Sequence, residues 1–99
     1  MKFKGYYTYN NDKNPTEFTL LKNKDGKIYG EGEDNGGQYS IEGTLQKSGR
    51  LDLTKYYMGS NTVTLYGRYI TKNDTLERLY GCWEMKDVCS GDFEYNAFK

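Results

Sequence analysis

The sequence predicts an all-β fold, an eight-stranded antiparallel up-and-down barrel with little or no helix. Three observations carry the prediction. Apolar and polar residues alternate with a period of two along most of the chain, most cleanly between Lys27 and Gln46. Short joints rich in glycine, asparagine and aspartate separate the alternating runs. Glycines recur on the presumed inner face, at Gly5, Gly30, Gly32, Gly43, Gly67 and Gly81. Glycine weakens an isolated strand, so this placement needs a cause, and coiling a short sheet into a closed barrel supplies one. Pairing the first strand with the last would also remove both exposed edges.

Each element follows in order. The first strand covers Lys2 to Tyr9, with Phe3, Gly5, Tyr7 and Tyr9 inward. Residues 10–15, ending in Pro15, read as a loop. A second strand from Thr16 to Lys22 points Phe18 and Leu20 inward, and Lys24-Asp25-Gly26 forms a three-residue hairpin loop. The third and fourth strands flank a turn whose position is set by charge. Closure on Asn35-Gly36 pairs Tyr29 with Glu42 and Glu31 with Ser40, whereas closure on Gly36-Gly37 sets Glu31 against Glu42. The first register is expected. Lys47-Ser48-Gly49 repeats the three-residue device and places Leu45 opposite Leu51 and Gly43 opposite Leu53.

The fifth strand, Arg50 to Tyr57, has Leu51 and Leu53 inward. Lys55 shares their phase and is expected to reach water from the strand end. Residues 58–61 turn the chain. The sixth strand, Thr62 to Thr71, points Val63, Leu65, Gly67 and Tyr69 inward, and the seventh, Leu76 to Met85, points Leu79, Gly81, Trp83 and Met85 inward. Leu65-Tyr66-Gly67-Arg68-Tyr69 and Leu79-Tyr80-Gly81-Cys82-Trp83 match each other, and a hairpin centred on Asp74 would set Gly67 opposite Gly81. The last strand, Gly91 to Phe98, carries Phe93, Tyr95 and Ala97 inward.

Composition bounds the function more than it names it. Ninety-nine residues suit one domain spanning 1–99. Only 35% of residues are hydrophobic, but aromatics reach 16% and there are eleven tyrosines, which suit strands and bring buried area with a polar tip. Fourteen basic and fourteen acidic residues leave no bulk attraction to nucleic acid or to an anionic membrane. The absence of histidine removes the commonest general base and zinc ligand, so no catalysis, metal or cofactor is expected. Glu31, Glu33, Asp34 and Glu42 read as a solvated strand face, and Asp34-Asn35-Gly36-Gly37 lacks the spacing of a calcium loop. No leader and no membrane-length apolar run are visible. If Met85 pairs with Phe93, Cys82 and Cys89 stand too far apart for a disulfide. Free thiols then point to a cytoplasmic protein, with a secreted mature form as the alternative.

The run of short strands, with Lys27-Ile28-Tyr29-Gly30-Glu31-Gly32-Glu33 and Leu79-Tyr80-Gly81-Cys82-Trp83, resembles the calycin group of barrels, which includes avidins, lipocalins and fatty-acid-binding proteins. The resemblance covers architecture and glycine-aromatic texture along nearly the whole chain. It implies a barrel whose open end holds something small, and it transfers no site residues. A flatter repeat, similar to that of MORN proteins, is the alternative, but no constant period runs through the chain.

Two candidate surfaces follow. Tyr29, Tyr66 and Tyr80, with Tyr6 and Tyr56, share the outer phase, where a contiguous patch would bind a protein partner or a second copy of the chain. That makes a non-enzymatic binding domain, an inhibitor or adaptor, the first expectation. Tyr7, Tyr9, Tyr69, Trp83 and Tyr95 share the inner phase and would ring a barrel mouth able to take a small hydrophobic or aromatic ligand. A small-molecule carrier is the second expectation.

Overall fold

A computed structural model describes residues 1–59, 61–85 and 89–98, with Cys89 described by its backbone alone. The chain is all-β, and no helix occurs among the described residues. Eight antiparallel strands follow one another around a closed barrel: β1 (Lys2–Tyr9), β2 (Asp12–Lys22), β3 (Lys27–Asp34), β4 (Gly37–Leu45), β5 (Arg50–Tyr57), β6 (Thr62–Lys72), β7 (Thr75–Met85) and β8 (Cys89–Phe98). Closure runs through β1 and β8, from Lys2↔Phe98 to Tyr7↔Phe93. No unpaired edge is left along that seam.

Three expected registers are present. Tyr29 pairs with Glu42 and Glu31 with Ser40 across an Asn35-Gly36 turn. Leu45 pairs with Leu51 and Gly43 with Leu53, and Gly67 pairs with Gly81. Both three-residue loops form as expected, with Gly26 and Gly49 at φ of 85° and 96° and with matching bonds from the Gly26 and Gly49 amides to the Asn23 and Gln46 carbonyls. At Gly67 the strands approach too closely for any side chain. A Cβ there would overlap the Tyr80 carbonyl oxygen and lie 2.7 Å from the Gly81 Cα.

Other joints depart from expectation. Residues 10–15 are not a loop: β1 and β2 meet at a two-residue turn, Asn10-Asn11, with φ of 51° and 69°. Pro15 therefore sits within β2, opposite Tyr6. Such a turn closes on a hydrogen-bonded pair, here Tyr9↔Asp12, and bonded and non-bonded pairs then alternate, so Tyr6↔Pro15 is non-bonded. The missing N–H faces the side from which β3, whose pairing ends at Thr16↔Asp34, has already departed.

Between β6 and β7 the register shifts after Ile70↔Arg78 to Thr71↔Leu76, leaving Glu77 as an extra residue, and the hairpin closes on Asn73-Asp74 with φ of 53° and 63°. One extra residue reverses the facing of everything beyond it. Leu76, out of phase with Leu79, is consequently buried as well. Strand β8 begins at Cys89, and Met85 pairs with Cys89, not Phe93, whose partner is Gly81. Cys82 lies opposite Asp92, three positions from Cys89, about 10 Å along the strand and beyond disulfide reach. The Cys82 thiol is free and exposed. The state of the Cys89 thiol, and Ser60 in the β5–β6 turn, lie outside the described residues.

The core fills the barrel from one end. Phe3 stacks on Phe18 across β1 and β2, with ring centres 5.6 Å apart, and Tyr95 meets Phe18 edge-on at 4.9 Å and Phe93 at 5.0 Å. Each such pair adds about 0.5–1.5 kcal/mol to the value of the area it buries. Leu20, Ile28, Leu45, Leu51, Leu76 and Leu79 complete the packing toward the end that holds the β2–β3, β4–β5 and β6–β7 turns. There the Met1 amino group donates to the Leu20 carbonyl at 3.0 Å.

Candidate functional site

The opposite end, which carries the β1–β2, β3–β4 and β5–β6 turns, is a cup. Its cavity is about 450 Å³. Tyr7, Tyr9, Trp83 and Met85 from β1 and β7 form one wall, and Val63 and Leu65 of β6 with Lys55 and Tyr57 of β5 form another. Asn14, Asn35 and Asn61 stand at the lip, where the Asn35 side-chain amide donates to Asn14 Oδ1 at 3.2 Å.

Strand parity and meander direction bring the polar groups here. Asp34 has the inward phase of Gly30 and Gly32, and Lys55 has that of Leu51 and Leu53. Strands β3 and β5 both run toward the cup and are separated only by β4. The two side chains meet inside, with Lys55 Nζ donating to Asp34 Oδ2 at 2.8 Å and side chains only 4% and 0% exposed. This corrects both expectations about these residues: Lys55 does not reach water, and Asp34 is not part of the solvated acidic face. Asp34 also accepts from the Tyr57 hydroxyl at 2.6 Å and from the Gly36 amide at 2.7 Å. Its oxygens are well supplied with donors.

The Lys55 ammonium makes one hydrogen bond among the described residues and is otherwise held by rings. It lies 4.2 Å from the ring centre of Tyr39, 4.9 Å from Tyr7 and 5.3 Å from Tyr57. Burial pulls its pKa below the ordinary lysine value, while the Asp34 hydrogen bond and charge oppose that pull. Burial, then the Asp34 hydrogen bond and charge, holds the Tyr57 phenol far above its usual range. Burial likewise raises Tyr39, whose hydroxyl shares a short hydrogen bond with Thr16 Oγ1, and Tyr7 beside it. Tyr7, Tyr39 and Tyr57 thus present un-ionised phenols around one buried ion pair.

Of the residues expected to ring the mouth, the structure brings four together. Tyr7 meets Trp83 edge-on at 6.1 Å, the half-exposed Tyr9 tilts against it at 6.2 Å, and the Trp83 indole donates to the Thr8 carbonyl at 2.9 Å. Tyr95 reaches the cup from the core, 1% exposed. Its hydroxyl has no hydrogen-bond partner among the described residues. Tyr69 lies at the packed end instead, where its hydroxyl donates to the Gln46 carbonyl at 2.6 Å. Asp34, Lys55 and Tyr57 are the site residues that the sequence analysis did not assemble. The signal was present in their phase, since all three share it with inward neighbours at the same end.

The outer tyrosines do not form one surface. Tyr66 and Tyr80 are diagonal neighbours on β6 and β7, while Tyr29 sits on β3 beside the exposed Leu21. Glu42, Thr44, Asp52 and Thr54 occupy the strands between them. Tyr56 donates to Glu42 at 2.9 Å, and Tyr80 lies under the Arg78 guanidinium at 4.7 Å. A larger open hollow crosses the outside of β1 to β4 and the end of β8, where exposed polar chains such as Lys2, Lys4, Glu17, Glu31 and Gln38 are mixed with Tyr6, Pro15, Met58 and Phe98. Comparison with protein families, with curated proteins and with solved structures finds no match.

Proposed function

We propose that the chain is a non-enzymatic binding protein that takes a small, flat molecule into the mouth of a calycin-like barrel. The observation that carries this is the aromatic cup of about 450 Å³ with the buried Asp34–Lys55 pair in its wall. A buried ion pair is poor evidence of stability, because apolar residues of similar size serve as well or better. Beside a ring-lined cavity it is better understood as part of a recognition site. Lys55 is tied to Asp34, and the chain has no histidine to act as a base, so binding fits these groups better than turnover. The alternative, a protein partner held by outer tyrosines, has the smaller support, since polar residues separate Tyr29 from the Tyr66–Tyr80 pair.

Ligand-observed NMR with one- and two-ring planar aromatics, followed by shift mapping on labelled protein, tests the proposal. Shifts at Tyr7, Trp83 and Lys55 are expected, and Tyr9→Ala should weaken binding several-fold without unfolding the barrel. A map centred on Tyr29 or Tyr66, or no binding by any compound, would reject it.

A further inference from the structure

We infer that the molecule held in the mouth is a neutral planar aromatic or heteroaromatic compound presenting a carbonyl oxygen to the Tyr95 hydroxyl. This rests on the mouth being a binding site and names the chemistry of its occupant. The inventory of donors and acceptors carries it. Asp34 already accepts from Lys55, Tyr57 and the Gly36 amide. The Trp83 N–H is taken by the Thr8 carbonyl. Tyr95, by contrast, is 1% exposed, lines the cavity, and has neither a donor nor an acceptor partner among the described residues. Two of the three Lys55 protons likewise meet no acceptor among the described residues.

In the buried part of the wall the carboxylate is thus supplied while Tyr95 and Lys55 keep donors to spare. The Asn35 and Asn61 amides, which offer acceptors as well, stand out at the lip. An unpartnered buried hydroxyl is costly, and an incoming oxygen acceptor recovers that cost on binding. Charge then selects among acceptors. Asp34 already balances Lys55, so a carboxylate ligand would leave a net negative charge enclosed among phenols. A carbonyl oxygen brings the acceptor without the charge. The flat faces of Trp83, Tyr7 and Tyr9 suit a planar ring, and the cavity takes a molecule of one or two rings.

Coumarin, 2H-chromene and 1-naphthoate form the test series, being respectively a neutral carbonyl compound, the same skeleton without the carbonyl, and an anion. Affinities are measured by calorimetry on the wild-type chain and on Tyr95→Phe. Coumarin should bind about tenfold more tightly than 2H-chromene, and 1-naphthoate should bind more weakly than coumarin. Tyr95→Phe should lose about that tenfold for coumarin alone, while its denaturation midpoint holds or rises, because the substitution removes a buried hydroxyl that has no partner. Equal binding of coumarin and 2H-chromene, or affinities untouched by Tyr95→Phe (a hydroxyl that merely holds a water), overturns the inference but leaves the mouth a binding site. Tightest binding by 1-naphthoate overturns its neutral character. Binding by none of the three, with no mouth shifts for any planar aromatic, removes the site itself.

Discussion

At the scale of residues, the barrel mouth depends on Asp34 and Lys55. Removing one partner strands a charge in a site that is at most 4% exposed, whereas removing both leaves space that apolar atoms can fill. Lys55→Met should therefore cost about 3–5 kcal/mol, and Asp34→Asn combined with Lys55→Met should recover most of it, as read by urea denaturation of the three proteins. The pH dependence has a definite sign. Burial lowers the folded-state pKa of Lys55 below the ordinary 10.5, so the unfolded chain binds more protons between those two values. Wild-type stability should gain a rising contribution as pH climbs through that window, and Lys55→Met should lack it. A wild-type profile identical in shape to the variant's would contradict this account.

At the scale of elements, the β6–β7 hairpin helps to make the two ends unlike. Its bulge at Glu77 rotates Leu76 into the core and helps to close the packed end. Leu76→Ala should cost about 2–5 kcal/mol, whereas deletion of Glu77, which removes the extra residue and leaves Leu76 in the inward phase of Leu79, should cost less. A deletion variant that loses as much as Leu76→Ala would contradict that phase assignment. The turn below it places Asn73 and Asp74 at positive φ, where a β-branched residue is strained. Asp74→Val should lose about 1–2 kcal/mol, while Asp74→Gly should not be destabilising. At the Gly67–Gly81 crossing the limit is space, and Gly67→Ala should destabilise by about 1–3 kcal/mol by pushing the strands apart. Thermal melts of these variants rank the devices directly.

At the scale of the whole molecule, the phenols of the mouth and core tie folding to their protonation. Tyr39, Tyr57 and Tyr95 are held above the ordinary value of 10.0, chiefly by burial. A raised folded-state pKa contributes stability that is fully present below about 10 and is lost as pH rises beyond it. Alkaline titration followed at the phenolate band should show exposed tyrosines ionising first. The buried ones should then ionise together with the loss of near-ultraviolet circular dichroism. Smooth ionisation of all eleven with the fold intact would refute the enclosure described above.

The sequence by itself determined the strand count, the meander, the inner glycines and three hairpin registers. Each follows from local rules: period-two patterning, turn chemistry and the cost of opposing like charges. Leu45 meets Leu51, and Tyr29 meets Glu42, because any one-residue slip would turn a whole strand inside out. Tertiary structure decided what parity alone leaves open. Parity says which face a residue takes, but not how far along the barrel it lies, so Tyr69 falls at the packed end while Tyr7 and Trp83 share the cup. A single extra residue overrides parity, as Leu76 shows. Pro15 is tolerated within β2 because the neighbouring strand ends beside it, a fact of stagger between strands. The burial of Asp34 against Lys55 required closure, since only a complete ring of strands brings residues two strands apart face to face and shields them from water.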